Sequence, residues 1–161
     1  RTERMVNAAL STGLTPFLTT EGGVNSGYMI VQYSAASMVS ENKVLAHPAS
    51  VDSIPSSANQ EDMVSMGTTA ARKSGWIVQN TLSVLADELL TACQAIDIRR
   101  RLNTHGQGIS PVHQKVFDRV RKDIAFYETD RELWQDIQAA EKLVRSGELL
   151  EIVHETVADF E

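Results

Sequence analysis

Cysteine is almost missing from this chain of 161 residues, in which Cys93 stands alone. A single cysteine excludes an internal disulfide and is typical of a reducing compartment. Uninterrupted apolar runs are also too short for a membrane-spanning helix, and the chain does not open on a charged and then apolar leader. These absences predict a soluble protein of the cytoplasm.

Basic residues are also in short supply. The chain has 15 Lys and Arg against 21 Asp and Glu, a formal net charge of −6, and its longest basic run is Arg99, Arg100 and Arg101. Nucleic acids and anionic membranes attract proteins with extended basic patches, so we expect neither partner. Hydrophobic residues make up 42% of the chain, which suffices for the core of one ordinary domain.

Charge of either sign is scarce in the first half of the chain. Between positions 5 and 40 the only charged residue is Glu21, and between positions 44 and 60 it is Asp52. Solvated surfaces normally carry more charge. Either other segments or subunits cover this half, or its surface is polar through uncharged Ser and Thr. Because the chain begins with Arg1 and not with Met, we expect it to be part of a longer protein.

The hydrophobic pattern predicts an all-α fold. Apolar and small side chains occur on every side of a predicted helix over residues 24–41, as in a buried helix. An irregular segment with two prolines follows over residues 42–60, and a very long helix is predicted over residues 61–98. The predicted apolar face of this long helix consists of Val78, Leu82, Leu85, Leu89, Cys93 and Ile96.

Shorter, charged helices are predicted for the remainder. Ser110 and Pro111 fit the N-cap and first residue of a helix over residues 111–127. Residues 129–132, Thr-Asp-Arg-Glu, fit a capping box before the next helix, which Gly147 ends. A last short amphipathic helix closes the chain. The predicted architecture is therefore a bundle of two long buried helices with a charged helical tail packed outside.

Most residues that could carry chemistry have a structural interpretation. The histidines lack metal-ligand spacing, and Cys93 falls in the apolar stripe, where burial suppresses the nucleophilicity of a thiol. The pair Gly22-Gly23 lacks the Gly-Lys-Ser/Thr continuation of a phosphate loop and predicts a turn before a helix. The four histidines are His47, His105, His113 and His154.

The polar run over residues 56–62, Ser-Ser-Ala-Asn-Gln-Glu-Asp, is the most informative place. One interpretation is helix capping, with Asn59 as N-cap and Asp62 as a favourable first-turn charge. The other is a functional Glu61 that exchanges a proton with an amine or pairs with an imidazolium. Physical reasoning from the residues alone leaves both open.

Several short sequence motifs indicate more than the hydrophobic periodicity does. They are GGVNSGYM at residues 22–29, SENK at 40–43, AHPASVDS at 46–53, SANQED at 57–62 and ACQAID at 92–97. This series strongly resembles the C-terminal part of the histidine ammonia-lyases, within the aromatic amino acid lyase and aminomutase superfamily. The resemblance covers nearly the whole chain. Relatives that act on phenylalanine or tyrosine generally have Gln where this chain has Glu61.

The resemblance implies that residues 1–161 are the C-terminal helical region of a larger, mostly helical lyase subunit. Residues 1–100 would supply central-bundle helices and an active-site loop, and residues 101–161 an outer helical tail. The family removes ammonia from L-histidine to give trans-urocanate, and its subunits form a homotetramer. By the same analogy Glu61 would face the substrate side chain and amine, while Gln60 and Asn59 would shape the pocket wall.

The family's electrophile is 4-methylideneimidazole-5-one, which forms from an Ala-Ser-Gly tripeptide. This chain contains no Ala-Ser-Gly, so the resemblance places the electrophile in sequence N-terminal of Arg1, and we expect the segment alone to be inactive. Two alternatives stay open. The chain could belong to a tyrosine or phenylalanine lyase or aminomutase, or it could be a non-catalytic helical assembly module.

Overall fold

A computed structural model describes residues 1–102 and 108–157 of the chain. Its helices confirm the all-α prediction. A short 3-10 turn at Pro16–Leu18 lies between the first two helices. The helices are α1 (Thr2–Val6), α2 (Met29–Leu45), α3 (Gly67–Leu102), α4 (Pro111–Asp123), α5 (Trp134–Ser146) and α6 (Glu148–Thr156).

The 36-residue helix α3 is the longest described helix and contacts most of the other elements. It packs against α2 and α1 and against α5, while α6 packs on α4 and α5. The charged helices therefore reach the long helices mainly through α5. Within the described ranges no helix is both long and apolar enough to cross a bilayer.

The predicted starts of both long helices are wrong. Helix α2 begins at Met29 and not at position 24, because residues 22–27 form a tight turn in which Gly23 and Gly27 have φ of 90° and 56°. A Cβ on Gly27 would lie 2.5 Å from the carbonyl oxygen of Phe17, so only glycine fits there. Helix α3 begins at Gly67, six positions after the predicted start.

The predicted apolar face of α3 matches the inward face only in part, where Leu89 and Ile96 pack half-buried against the core beside Cys93. Of the six stripe residues only Cys93 is buried, whereas Val78 is 58% exposed. The face that packs inside includes the polar side chains of Asp87, Thr91 and Gln94, so hydropathy does not reveal it. The buried residues of α3 are Ser83, Ala86, Asp87, Leu90, Thr91, Cys93, Gln94 and Ile98.

Gln94 connects three parts of the fold. Its buried amide donates to the carbonyl oxygens of Leu18 at 3.1 Å and Tyr127 at 2.9 Å, and its own oxygen accepts the Tyr127 N–H at 3.1 Å. One side chain thus satisfies backbone groups before α2 and after α4. Hydrophobic periodicity gives no signal for this role, although Gln94 lies inside the ACQAID motif at residues 92–97.

Cys93 is a core residue, as predicted. It is 3% exposed, and burial raises the pKa of its thiol to about 11. A thiol held protonated is a poor nucleophile. Four residues on, Asp97 accepts a 2.8 Å hydrogen bond from Arg121 Nε and ties α3 to α4.

Residues 129–132 do not form the predicted capping box, because Leu133 and not Thr129 is the N-cap of the next helix. The next helix begins at Trp134, and the Asp130 carboxylate instead accepts the backbone N–H groups of Ser26 at 2.7 Å and Gly27 at 2.9 Å. The N–H of Asp130 in turn donates to Asn25 Oδ1 at 3.0 Å. The glycine-rich turn before α2 is therefore clamped by the segment between α4 and α5.

The clamp predicts a pH-dependent effect of Asp130→Asn. The two backbone N–H donors lower the pKa of Asp130, so its stabilising contribution is present above the ordinary value near 4 and is lost as pH falls through the lowered pKa. At pH 7 we expect the Ser26 and Gly27 amides to exchange with solvent about tenfold faster in the variant. Asp118→Asn on exposed α4 is the control. Unchanged exchange at pH 7 would contradict the clamp.

Asp87 is a fully buried carboxylate whose two oxygens have no hydrogen-bond partner among the described residues. Burial raises its pKa to about 7, and the negative charge of Glu141 on α5 adds to this. Glu141 itself accepts a hydrogen bond from Ser83. A carboxyl group in such surroundings keeps its proton well above the pH at which an exposed aspartate ionises.

Asp87→Asn is therefore expected to remove a pH-dependent loss of stability. A carboxyl with a raised pKa keeps its proton in the folded state, so stability falls as pH rises from about 4 to about 7. An amide does not titrate. Between pH 5 and pH 8 the free energy of unfolding of the variant should rise, relative to that of the parent, by on the order of 2 kcal/mol. This is less than the full pKa shift implies, because charged sites draw in water. The same pH dependence in both proteins would contradict this.

Candidate functional site

The loop over residues 46–66 joins α2 to α3, and its tip is a closed turn over residues 56–61. The N–H of Ser56 donates to the Glu61 carbonyl at 3.0 Å, and the N–H of Glu61 donates back to the Ser56 carbonyl at 3.3 Å. Within the turn, the N–H of Gln60 donates to the Ser57 carbonyl at 3.1 Å. Its two ends are therefore held together by backbone hydrogen bonds.

Left-handed backbone shapes the tip. Ser57, Ala58 and Asn59 have φ of 52°, 53° and 66°. Non-glycine residues pay about 1 kcal/mol or more each for this conformation, and such strain concentrates at functional sites. The capping interpretation is wrong, because a left-handed Asn59 eight positions before Gly67 does not cap α3.

The Glu61 carboxylate is held on one side only. Its Oε2 accepts hydrogen bonds from Ser56 Oγ at 2.8 Å and Ser57 Oγ at 3.3 Å. Its Oε1 has no hydrogen-bond partner in the described part of the chain. Glu61 is exposed here, so the described part of this chain does not bury the carboxylate.

The structure brings the three predicted site residues onto this one turn. Asn59 and Gln60 are exposed beside Glu61. Sequence reasoning missed Ser56 and Ser57 as partners of the carboxylate, since serine is common in loops and gives no signal of its own.

The two segments that lead to and from the turn are also fixed by hydrogen bonds. Ser53 Oγ donates to the Val64 carbonyl and accepts the Val64 N–H, both at 3.0 Å. Lys73 on α3 donates to the carbonyl of His47, just after α2. Between these anchors and the tip, Ile54 and Met63 are 70% and 78% exposed, so the loop carries uncovered apolar side chains on both sides of the turn.

Other parts of the described chain offer less chemistry. No cluster of three or more His, Cys, Asp or Glu within residues 1–102 and 108–157 could hold a metal ion. His105 lies outside the described residues. A cavity of about 340 Å³ lies near α1 and the 3-10 turn. Its lining has no ionisable side chain and consists of Val6, Asn7, Ala8, Pro16, Phe17 and Gln32.

Known proteins match the chain over its whole length. The family model described as aromatic amino acid lyase matches residues 1–122. Histidine ammonia-lyase 1 of Fusobacterium nucleatum is 53% identical over 161 residues, which are 100% of this chain and 30% of that protein. Histidine ammonia-lyase of Natranaerobius thermophilus is 53% identical over 159 residues, 99% of this chain and 30% of that protein.

Solved structures agree in fold. Histidine ammonia-lyase from Trypanosoma cruzi has a TM-score of 0.88 and 44% identity, covering 98% of this chain and 30% of its own. Tyrosine aminomutase from Streptomyces globisporus has a TM-score of 0.87 and 33% identity, covering 99% of this chain and 30% of its own. The chain thus spans about 30% of the length of the relatives it matches. With the family model and these relatives in agreement, the chain belongs to the aromatic amino acid lyase family.

Proposed function

We propose that this chain is the C-terminal portion of a histidine ammonia-lyase, which converts L-histidine to trans-urocanate and ammonia. The observation that carries the proposal is the Glu61 carboxylate, which Ser56 and Ser57 hold through one oxygen and whose other oxygen has no hydrogen-bond partner among residues 1–102 and 108–157. The names of the relatives that match at 53% identity support the same substrate. The activity belongs to the whole protein, and we expect this segment alone to be inactive.

The carboxylate suits a histidine substrate. A charged carboxylate only accepts hydrogen bonds, and both the imidazole N–H and the ammonium group of histidine are donors. A phenyl ring offers no such donor, so a site built around Glu61 would discriminate against phenylalanine. In this proposal Glu61 binds the substrate side chain or takes up a proton, and Gln60 and Asn59 form the adjoining pocket wall.

The proposed enzyme also needs an electron sink, which 4-methylideneimidazole-5-one supplies in this family. No residue of this chain can form that group, because its sequence contains no Ala-Ser-Gly. The contribution proposed for this chain is therefore the polar wall around Glu61, and we derive no step through the electrophile itself.

We propose that residues 1–100 lie in the centre of a homotetramer, with residues 101–161 outside. Support comes from α2 and α3, whose outward faces leave large apolar side chains uncovered. Burying such a surface against other subunits is favourable at about 25 cal/mol per Å². The exposed residues on these helices include Ile30, Tyr33, Val39, Val44, Trp76, Val78 and Leu85. The lone cysteine favours the cytoplasm as the location.

The test is to assay the complete polypeptide that carries this segment against L-histidine, L-tyrosine and L-phenylalanine. We expect urocanate and ammonia from histidine and at least about a hundredfold lower kcat/KM for the other two. A preference for tyrosine, or a β-amino acid product, would favour the lyase or aminomutase alternatives. No turnover of any of the three would favour a non-catalytic assembly module.

A further inference from the structure

The two serine hydroxyls at the tip of the loop contact the same carboxylate oxygen. Ser56 Oγ donates to Glu61 Oε2 at 2.8 Å and Ser57 Oγ to the same atom at 3.3 Å. The shorter contact has the length expected for a strong hydroxyl-to-carboxylate hydrogen bond, and the longer one is at the weak end of the range. Ser56 is therefore the main partner.

This arrangement leaves the two oxygens of Glu61 in different states. The terminal torsion of a glutamate is broad and allows the carboxylate to turn. A donor on Oε2 removes most of that freedom, while Oε1 keeps its lone pairs for a donor from outside the turn. The backbone contributes to this, because hydrogen bonds in both directions between Ser56 and Glu61 fix the spacing of the two residues.

We propose that Ser56 is a positioning residue that orients the Glu61 carboxylate so that Oε1 accepts a hydrogen bond from the substrate. This inference rests on the proposed function of Glu61. Ser56 does not contact the substrate and acts only through the carboxylate. Ser57 supports the same orientation from the left-handed stretch of the turn.

The test uses Ser56→Ala in the complete enzyme. Loss of orientation should lower kcat/KM for L-histidine by about 20-fold, chiefly through kcat, because a misplaced group weakens the transition state more than initial binding. Ser56→Thr keeps the hydroxyl and should restore activity to within about twofold of the parent. Threonine is tolerable there because, unlike Ser57, Ser56 does not have a positive φ. Ser74→Ala is the control, since that hydroxyl donates to the Ala70 carbonyl of its own helix.

A double-mutant cycle separates orientation from a general structural role. In a Glu61→Ala background no carboxylate remains to be oriented, so adding Ser56→Ala should change kcat/KM by less than about twofold. A further 20-fold loss in that background would overturn the inference, because Ser56 would then act without Glu61.

The outcomes also separate this inference from the proposal beneath it. A large loss in Glu61→Ala with parental activity in Ser56→Ala would overturn the role of Ser56 alone. Parental activity in Glu61→Ala would overturn the proposed role of Glu61, and the role of Ser56 with it.

Discussion

Replacing Glu61 by glutamine in the complete lyase is expected to lower kcat/KM for L-histidine by at least about 100-fold, the scale of a lost acid-base or charge-assisted contact. Glutamine keeps the size of the side chain and can still accept the Ser56 hydroxyl, but it lacks the negative charge that pairs with an imidazolium or ammonium group. Steady-state assays of urocanate formation measure the effect.

Folding should be little affected by this change. Glu61 is exposed, and the side-chain hydrogen bonds it makes are with Ser56 and Ser57 inside its own turn, so the thermal midpoint should stay close to that of the parent. Glu151→Gln on the exposed side of α6 is the matched control and should leave kinetics unchanged. Parental kinetics in Glu61→Gln would remove Glu61 from the site.

Gln94→Leu is expected to have the largest effect on stability. The substitution keeps the approximate volume but leaves the Leu18 carbonyl and the Tyr127 N–H and carbonyl without their side-chain partner. Buried unpaired backbone groups cost about 1–3 kcal/mol each. Since part of that cost is relieved by local relaxation, we expect a net loss of about 3 kcal/mol.

Hydrogen exchange at Tyr127 reports this loss directly, because its amide donates to Gln94 Oε1. A loss of about 3 kcal/mol corresponds to roughly 150-fold faster exchange when opening and reclosing reach equilibrium before the exchange step. Gln79→Leu, at an exposed position on the same helix, is the control and should stay within about 0.5 kcal/mol of the parent. Parental protection of the Tyr127 amide in Gln94→Leu would contradict the bridging role.

Element type was easier to predict from the sequence than element boundaries. Ser110, Pro111 and Gly147 mark helix ends correctly, because capping and left-handed termination depend on local chemistry. The start of α2 was missed because the turn before it is held by Asp130, more than 100 positions away. No local pattern can report such a contact.

Helix α3 shows a second limit. Its inward face carries Asp87, Thr91 and Gln94, while apolar side chains such as Val78 point away from the rest of this chain. An apolar stripe predicts that a surface is buried, but it does not say against which partner. The prediction that something beyond this chain covers the first half is consistent with this pattern.

The candidate site was found by resemblance and not by physical chemistry alone. Residues 56–62 also fit helix capping, which the left-handed backbone from Ser57 to Asn59 and the start of α3 at Gly67 exclude. The pairing of Ser56 with Glu61 depends on that backbone, so a sequence pattern could not reveal it.

The most direct test of the central claim is a crystal structure of the complete lyase with L-histidine or an unreactive histidine analogue bound. We expect Glu61 Oε1 within about 3.2 Å of an imidazole or amine nitrogen of the ligand, with Ser56 still bonded to Oε2. A ligand bound elsewhere, with Glu61 left on the outer surface of the assembly, would contradict the account.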